Sequence, residues 1–149
     1  MLASLILEPG QRILEAGQRI LEAGQRILEP GQRILEAGQR ILEAGTGAGW
    51  NAGLLAARAG AGLVTTVEVD VDLAAAADRR LAAAGLDVAV HARDGNAGLP
   101  AQEPYDGVIA TYTVDELPWT WIEQTRPGGR PVIPWGRLGH VALTVADDG

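Results

Sequence analysis

Cysteine is absent from this chain of 149 residues, and so are phenylalanine and lysine. Without cysteine there can be no disulfide, no thiol nucleophile and no cysteine-based metal site. All 12 basic residues are arginines, and the 19 acidic residues bring the formal net charge to −7. This acidic balance argues against a nucleic-acid partner or an anionic membrane partner, because proteins that bind either usually carry a basic patch.

Long apolar runs are also missing, since none approaches the roughly 20 residues that span a bilayer. Residues 1–10 lack the basic start and the apolar core of a signal peptide. We therefore expect a cytoplasmic protein without a membrane partner. The hydrophobic content of 47% is ordinary for a globular protein, and the length suits one α/β domain.

A seven-residue repeat dominates the first third of the chain. Gln-Arg-Ile-Leu-Glu-Ala-Gly begins at Gln11, Gln18, Gln25, Gln32 and Gln39, with Pro30 in place of alanine in the third copy. Such near-identity indicates recent duplication or deliberate construction. Removing residues 11–38 leaves a complete turn, strand and glycine loop, so we interpret the first four copies as an insertion. We divide the chain into a tandem heptapeptide repeat segment, 1–38, and an α/β domain, 39–149.

The conformation of the repeats stays open at the level of sequence. A helix is favoured by pairs such as Glu15 and Arg19, which are four residues apart with the glutamate first. Against it, each glycine costs about 1 kcal/mol in a helix interior, and Pro30 interrupts a helix. As strands, the copies could turn at Glu-Pro-Gly-Gln and stack. Stacked repeats bury their faces against one another, so self-association through the repeats is a second hypothesis.

From residue 40 onward, apolar strands alternate with helices. Strands are predicted at 41–42, 63–69, 87–91, 105–110, 131–134 and 140–145, helices at 51–59, 72–84 and about 118–125, and a turn at 126–129. This alternation predicts a Rossmann-like α/β fold with a doubly wound, mostly parallel sheet.

Gly45, Gly47 and Gly49 form a G-x-G-x-G pattern at the predicted turn from the first strand to the first helix. Glycines there let the backbone approach a ligand closely. The dinucleotide fingerprint would need a glycine where this chain has Trp50, and a P-loop would need a lysine. The pattern predicts a ligand-binding loop of neither kind, with an ordinary strand-to-helix turn as the alternative.

Acidic residues lie at the ends of the predicted strands. Glu68, 21 residues after Gly47, is placed to accept hydrogen bonds from two ribose hydroxyls, with a solvated carboxylate at the strand end as the alternative. Asp94 could accept a hydrogen bond from the amino group of an adenine. Alternatively, Asp94 and Gly95 could be present only because an Asp-Gly pair favours a turn of the backbone. Glu43 could meet a cationic ligand group, although every repeat copy carries the same glutamate. Residues 110–113 follow the fourth strand, at the sheet edge where ligands bind in open α/β folds.

Together these residues resemble the class I S-adenosylmethionine-dependent methyltransferases, and most closely the protein-L-isoaspartate O-methyltransferase family. The resemblance covers residues 39–149 and is carried by ILEAGTGAGWNA (41–52), TVEVD (66–70), RDG (93–95), YDGVIAT (105–111) and TRPGGRPVIPWG (125–136). It implies S-adenosyl-L-methionine as cofactor, with its methionine end at the glycine loop, its ribose at Glu68 and its adenine at Asp94. The cofactor-binding residues that it implies are Glu43, Gly45, Thr46, Gly47, Gly49, Glu68, Val69, Asp94, Gly95 and Ala110.

The resemblance also implies an activity, the methylation of an isoaspartyl carboxylate in a protein or peptide, achieved mainly by positioning donor and acceptor. Members of the family carry an N-terminal helical segment with a hydroxyl residue near the transferred methyl group, and they continue beyond the last strand predicted here. We therefore expect a fold truncated at both ends, and we assign no catalytic residue. His91 and His140 lack metal-ligand spacing, so no metal is expected. The alternative function is a structural or self-assembling repeat module on an inactive methyltransferase-like domain.

Overall fold

A computed structural model describes residues 35–135 and 139–147. The strands are β1 (Ile41–Ala44), β2 (Val64–Glu68), β3 (Val88–Ala92), β4 (Tyr105–Ala110), β5 (Thr125–Trp135) and β6 (Gly139–Ala142). The helices are α1 (Trp50–Ala59), α2 (Val71–Ala83) and α3 (Trp119–Glu123), and two short 3-10 turns span Gly95–Ala97 and Pro100–Gln102. The predicted conformation of the first three repeat copies lies outside the described residues.

The six strands form one sheet in the order β3-β2-β1-β4-β5-β6. Neighbours from β3 to β5 pair in parallel, and β6 runs antiparallel to β5 at the edge. The strand order reverses beside β1, so the carboxyl ends of β1 and β4 flank the crevice in which open α/β sheets bind ligands. The predicted doubly wound α/β fold is confirmed.

The core lies on both faces of this sheet, because successive strand residues point to opposite sides. Ile41 of β1 packs with Leu55 of α1 and Leu81 of α2 on one face. The next residue, Leu42, packs with Tyr105 and Trp121 on the other. Since neighbours cover β1 on both sides and both faces, all four of its residues are buried.

The end of the fourth repeat copy joins this core. Leu35 is fully buried beside Ile41, and the backbone N–H of Gly38 donates to the carbonyl of Ala59 at 2.7 Å. The same sequence, Leu-Glu-Ala-Gly, occurs at 35–38 and at 42–45, yet only the second copy contributes a strand. Pairing with β2 and β4 decides this difference, which local sequence does not contain. The domain boundary at residue 39 stays a prediction.

One predicted element was wrong. Residues 126–129, expected to form a turn, lie inside β5 as a bulge. Thr125 pairs with Tyr105, and Arg130 pairs with Gly107. Between these two pairs β5 advances by more residues than β4, and the extra residues of β5 form the bulge. Pro127 and two glycines explain the bulge, because proline donates no ladder hydrogen bond and glycine permits the positive φ of 74° found at Gly128.

The ends of the other elements up to Ala110 agree with the prediction within two residues. The strand predicted at 140–145 ends earlier, at Ala142, although the N–H groups of Leu143 and Val145 still donate to β5. Within residues 35–135 and 139–147, no helix is long and apolar enough to cross a membrane.

Candidate functional site

A cleft of about 420 Å³ opens at the carboxyl ends of β1 to β4. Its lining residues are Gly45, Gly47, Val67, Glu68, Val69, Asp94, Gly95, Asn96, Thr111 and Tyr112. Six of them were predicted as cofactor-binding residues, and Thr111 and Tyr112 belong to the predicted 110–113 segment. The structure therefore brings together residues from four loops that are far apart in the sequence.

The glycine loop forms the floor of the cleft. Gly45, Gly47 and Gly49 have φ values of 95°, 53° and 88°, in the left-handed region that favours glycine. At Gly45 there is also no room for a side chain, because a Cβ atom would collide with Thr111 and come within 2.9 Å of the Tyr112 ring. The loop thus needs glycine for its conformation and for its contact with the segment after β4.

Glu68 ends β2 beside this loop. Its Oε2 accepts a hydrogen bond from the Gly47 N–H at 2.9 Å, and its Oε1 accepts one from the Asp70 N–H at 3.2 Å. A carboxylate has about four acceptor positions, so two backbone bonds fix the group and leave capacity for further donors. Val69, the next residue, is 73% exposed and offers an apolar surface at the rim.

Asp94 and Gly95 form the wall contributed by β3. Asp94 Oδ1 accepts from the Asn96 N–H at 2.9 Å and so caps the first 3-10 turn. Gly95 is buried, and a Cβ atom there would lie 2.6 Å from the Tyr112 hydroxyl oxygen and 3.3 Å from the Cβ of Ala44. The glycine is required here by close packing, since its φ is not positive.

Tyr112 and Asn96 close the cleft on the side of β4. Tyr112 lies in the predicted 110–113 segment, which had no role assigned residue by residue, and Asn96 was not predicted. The Tyr112 hydroxyl donates to Asn96 Oδ1 at 2.8 Å. Its ring meets the buried Trp121 edge-on, with centroids 6.2 Å apart. Burial, followed by the charges of Asp94 and Glu68, raises the pKa of Tyr112 to about 12, so the hydroxyl remains a donor at neutral pH. A polar side chain directly after Asp94-Gly95 was the one available signal for Asn96.

Four predicted residues are buried and do not line the cleft: Glu43, Thr46, Gly49 and Ala110. Glu43 is fully buried, and its two oxygens accept from Asn51 Nδ2 and Thr66 Oγ1, each at 2.6 Å. Burial raises the pKa of Glu43 to about 7, and the hydrogen bonds from Thr66 and Asn51 oppose that rise. Both carboxylate oxygens of Glu43 thus accept from donors within the protein. The direct contact of Glu43 with a ligand stays a prediction.

The part of the chain that the structure describes holds no group of three acidic or histidine side chains able to bind a metal ion. What the cleft offers is therefore backbone N–H groups, two carboxylates and aromatic and apolar surface. This set can hold a polar ligand that carries hydroxyl donors and a flat ring.

Comparison with known proteins agrees with this geometry. Residues 19–148 match the sequence model of the Protein-L-isoaspartate(D-aspartate) O-methyltransferase family. The protein-L-isoaspartate O-methyltransferase of Pyrococcus horikoshii is 42% identical over 92 residues, which are 61% of this chain and 41% of that protein. The chain spans about half the length of the curated relatives that it matches.

Solved structures give the same result. A protein-L-isoaspartate O-methyltransferase structure superposes with a TM-score of 0.74 at 29% identity, over 89% of this chain and 41% of that chain. A structure described as a putative protein-L-isoaspartate O-methyltransferase from Plasmodium falciparum, in complex with S-adenosyl-L-homocysteine, shares the fold with a TM-score of 0.61 at 13% identity. It matches 100% of this chain and 70% of that one. The resemblance seen in the sequence is confirmed, and this chain belongs to the protein-L-isoaspartate(D-aspartate) O-methyltransferase family.

Proposed function

We propose that the chain binds S-adenosyl-L-methionine in the cleft and transfers its methyl group to an isoaspartyl carboxylate of a protein or peptide. The observation that carries the proposal is the position of Glu68. Its carboxylate is anchored to the Gly47 N–H at the floor of a cleft located where the strand order reverses. In an open α/β sheet, an acid at this place recognises the ribose of a nucleoside ligand.

The shape of the cleft fits such a cofactor. A volume of about 420 Å³ lies within the range of small-molecule sites, about 300–1,000 Å³. At Gly45 and Gly95 a Cβ atom would push into the segment around Tyr112, so the narrow parts of the cleft are built from backbone. Glycine at these points lets the ends of β1 and β3 pack directly against that segment.

Different residues around the cleft would then bind different parts of the cofactor. The glycine loop would hold the methionine end, Glu68 would accept from the ribose hydroxyls, and Asp94 would accept from the adenine amino group. The exposed Val69 would cover one face of the adenine. The carboxylates of Glu68 and Asp94 also provide negative charge for a cationic ligand.

When bound, the cofactor supplies an electrophilic methyl group on a sulfonium sulfur. The chain's own contribution is to bind and orient, and alignment of donor and acceptor can supply a large part of the rate enhancement. Because Tyr112 stays protonated, its contact with Asn96 can shape the cleft without adding charge. No side chain of the described residues is assigned a proton-transfer role.

Calorimetric titration of the chain of 149 residues with S-adenosyl-L-methionine and S-adenosyl-L-homocysteine tests cofactor binding. We expect a micromolar Kd that weakens about tenfold or more, about 1.4 kcal/mol, in Glu68→Gln. Asp78→Asn, which removes a charge from an exposed position of α2, serves as the matched control and should leave the Kd unchanged. A folded parent chain that binds neither compound contradicts the proposal.

Methyl transfer requires a second measurement. The chain is incubated with labelled S-adenosyl-L-methionine and a synthetic peptide that contains isoaspartate, with the aspartate peptide as control. Label in the isoaspartyl peptide alone is the expected result. Binding without transfer would restrict the proposal to a cofactor-binding unit.

The assembly alternative depends on residues 1–38, most of which lie outside the described residues, and it stays a prediction. Sedimentation of the parent chain and of a variant lacking residues 11–38 tests it. Association that depends on concentration and disappears with the deletion would favour that alternative. The expected cytoplasmic location and the absence of a nucleic-acid partner also stay predictions.

A further inference from the structure

Glu43 places a carboxylate in the middle of the sheet. Its Cα pairs with Thr66 of β2 on one side and with Ile109 of β4 on the other, and the residue has no exposed surface. Its side chain points to the face covered by α1, where Asn51 meets it. Burying an ionisable group there opposes folding unless hydrogen bonds compensate, so a role in stability alone would be served as well by an apolar side chain.

One branch of its contacts leads to the glycine loop. Thr66 has a single hydroxyl proton and donates it to Glu43 Oε2. With the Glu43 carboxylate ionised, Thr46 is then the donor in the Thr46–Thr66 pair, whose oxygens are 2.6 Å apart. The hydrogen bonds therefore run in series, from the Thr46 hydroxyl to Thr66 and from Thr66 to the Glu43 carboxylate. Thr46 lies between Gly45 and Gly47, so this series of hydrogen bonds reaches the floor of the cleft.

The other branch leads to the start of α1. This helix begins after Gly49 without any side-chain cap, although most helices satisfy their first N–H groups in that way. Asn51, in the first turn, donates to Glu43 Oε1 at 2.6 Å. The carboxylate thus ties the first turn of α1 to β1, on the far side of the loop from Thr46.

The charges around Glu43 come from one neighbouring element. Among the groups packed against it in the described residues, Ile109 of β4 and Asn51 of α1 are uncharged, and Glu68 of β2 adds repulsion. Burial raises the pKa of Glu43 to about 7, so the carboxylate changes charge in the neutral range. Hydrogen bonds to a charged acceptor are stronger than those to a neutral one, so both branches strengthen as the group ionises.

We propose that Glu43 is a positioning residue, which holds Thr46 of the glycine loop through Thr66 and holds the first turn of α1 through Asn51. It thereby keeps the Gly47 N–H at the floor of the cleft through contacts within the protein. The effect on ligand affinity rests on the proposed function. The order of the loop is a property of the unliganded chain and does not depend on it.

Hydrogen exchange in the unliganded chain of 149 residues tests the positioning role directly. At a fixed pH of 8, the amides of residues 45–49 are compared in the parent, Glu43→Gln, Thr66→Val and Thr66→Ser. We expect exchange of these amides to be about tenfold faster in Glu43→Gln and Thr66→Val, equivalent to about 1.4 kcal/mol. Thr66→Ser keeps the hydroxyl and should remain within about twofold of the parent.

Glu36→Gln is the matched control, because Glu36 stands in the same Leu-Glu-Ala-Gly sequence but is exposed. It should leave exchange of the loop unchanged. Amides in the centre of α2, measured in the same experiment, report global opening. If the loop amides are unaffected in both Glu43→Gln and Thr66→Val, or change only as much as those of α2, the positioning role is overturned.

Titration with S-adenosyl-L-homocysteine between pH 5.5 and 8.5 provides the second readout. We expect the parent chain to bind more tightly as the pH rises through 7, and Glu43→Gln to lose that dependence while Glu36→Gln keeps it. A parent chain that binds at no pH contradicts the proposed function, and hydrogen exchange then still decides the positioning role. Tight binding with an identical pH profile in Glu43→Gln overturns the link to the ligand.

Discussion

The carboxylate of Glu68 lies 2.9 Å from the backbone N–H of Gly47, a residue 21 positions earlier in the chain. This hydrogen bond joins the end of β2 to the glycine loop after β1. The second oxygen accepts from Asp70, immediately before α2. One side chain therefore sets the relative positions of two loops that line the cleft, before any ligand is considered.

Glu68→Asp should distinguish the effect of the negative charge from the effect of the side-chain length. The shorter side chain keeps its charge, but it cannot contact Gly47 and a ligand from the same backbone position. We expect a loss of about 1 kcal/mol in the free energy of unfolding, the usual worth of such a hydrogen bond. The Kd for S-adenosyl-L-homocysteine should weaken as well. Urea denaturation and calorimetry measure the two effects, with Asp78→Glu as the control; unchanged values in both would contradict this account.

Gly95→Ala and Tyr112→Phe should be coupled. An added Cβ at residue 95 would lie 2.6 Å from the Tyr112 hydroxyl, so the alanine displaces the tyrosine and breaks its bond to Asn96. In Tyr112→Phe that bond is already lost and the nearest clash is removed. We expect the double variant to be more stable than the sum of the single losses by about 0.5 kcal/mol or more, as for residues in contact. Strict additivity in urea denaturation would disprove the coupling.

Glu43 should make the stability depend on pH. Its pKa is raised in the folded chain to about 7 from an ordinary value of 4.5, so the folded state holds its proton more tightly than the unfolded state. The stabilisation that the protonated Glu43 gives to the folded state is therefore present in full below pH 4.5 and is lost as the pH rises through 7. The loss amounts to about 3 kcal/mol if the whole shift applies.

The parent chain and Glu43→Gln, denatured by urea at pH 5 and pH 8, isolate this contribution. The variant should lack most of the decrease between the two pH values that the parent shows. Glu36→Gln should behave like the parent. Parallel decreases in the parent and Glu43→Gln would rule out this assignment.

Asp70→Ala should weaken α2 at its start. The Asp70 side chain accepts from the Leu73 N–H at 2.9 Å and caps the helix. Loss of such a cap costs about 1 kcal/mol. Asp72→Ala, in the first turn of the same helix, removes an equal charge without removing the cap. A difference in unfolding free energy between the two variants is the expected result, and equal losses would show that charge alone matters.

The order of strands and helices was predictable because apolar runs and glycine stops are local features. Val64–Glu68 and Val71–Ala83 follow one another with the β-branched and alanine-rich compositions typical of a strand and a helix. The meeting of Glu68 and Asp94 at one cleft followed from the parallel sheet, since the carboxyl ends of parallel strands share an edge. These predictions needed no knowledge of side-chain packing.

Residues whose roles depend on packing were not predictable. Tyr112 faces the cleft because Trp121 packs against its ring and Asn96 accepts its hydroxyl proton. The bulge at 126–129 depends on where β5 regains its register with β4. Glu43 carries the same flanking sequence as Glu36, so only the neighbouring strands distinguish a buried carboxylate from an exposed one.

Leu-Glu-Ala-Gly stands four times in the sequence, at 14–17, 21–24, 35–38 and 42–45, and this repetition has a consequence for how the chain finds its native state. Each copy carries the residues that pair with β2 and β4 in the last one, and a shift by one copy would lengthen the connection to α1 by seven residues. Such lengthening carries only a small entropic penalty. Only the last copy differs in the residue that follows it, because glutamine follows the other three, at 18, 25 and 39, whereas Thr46 follows Gly45. Thr46 therefore distinguishes the last copy from the others, because it lies outside the repeated peptide and its hydroxyl hydrogen-bonds to Thr66 beside this copy.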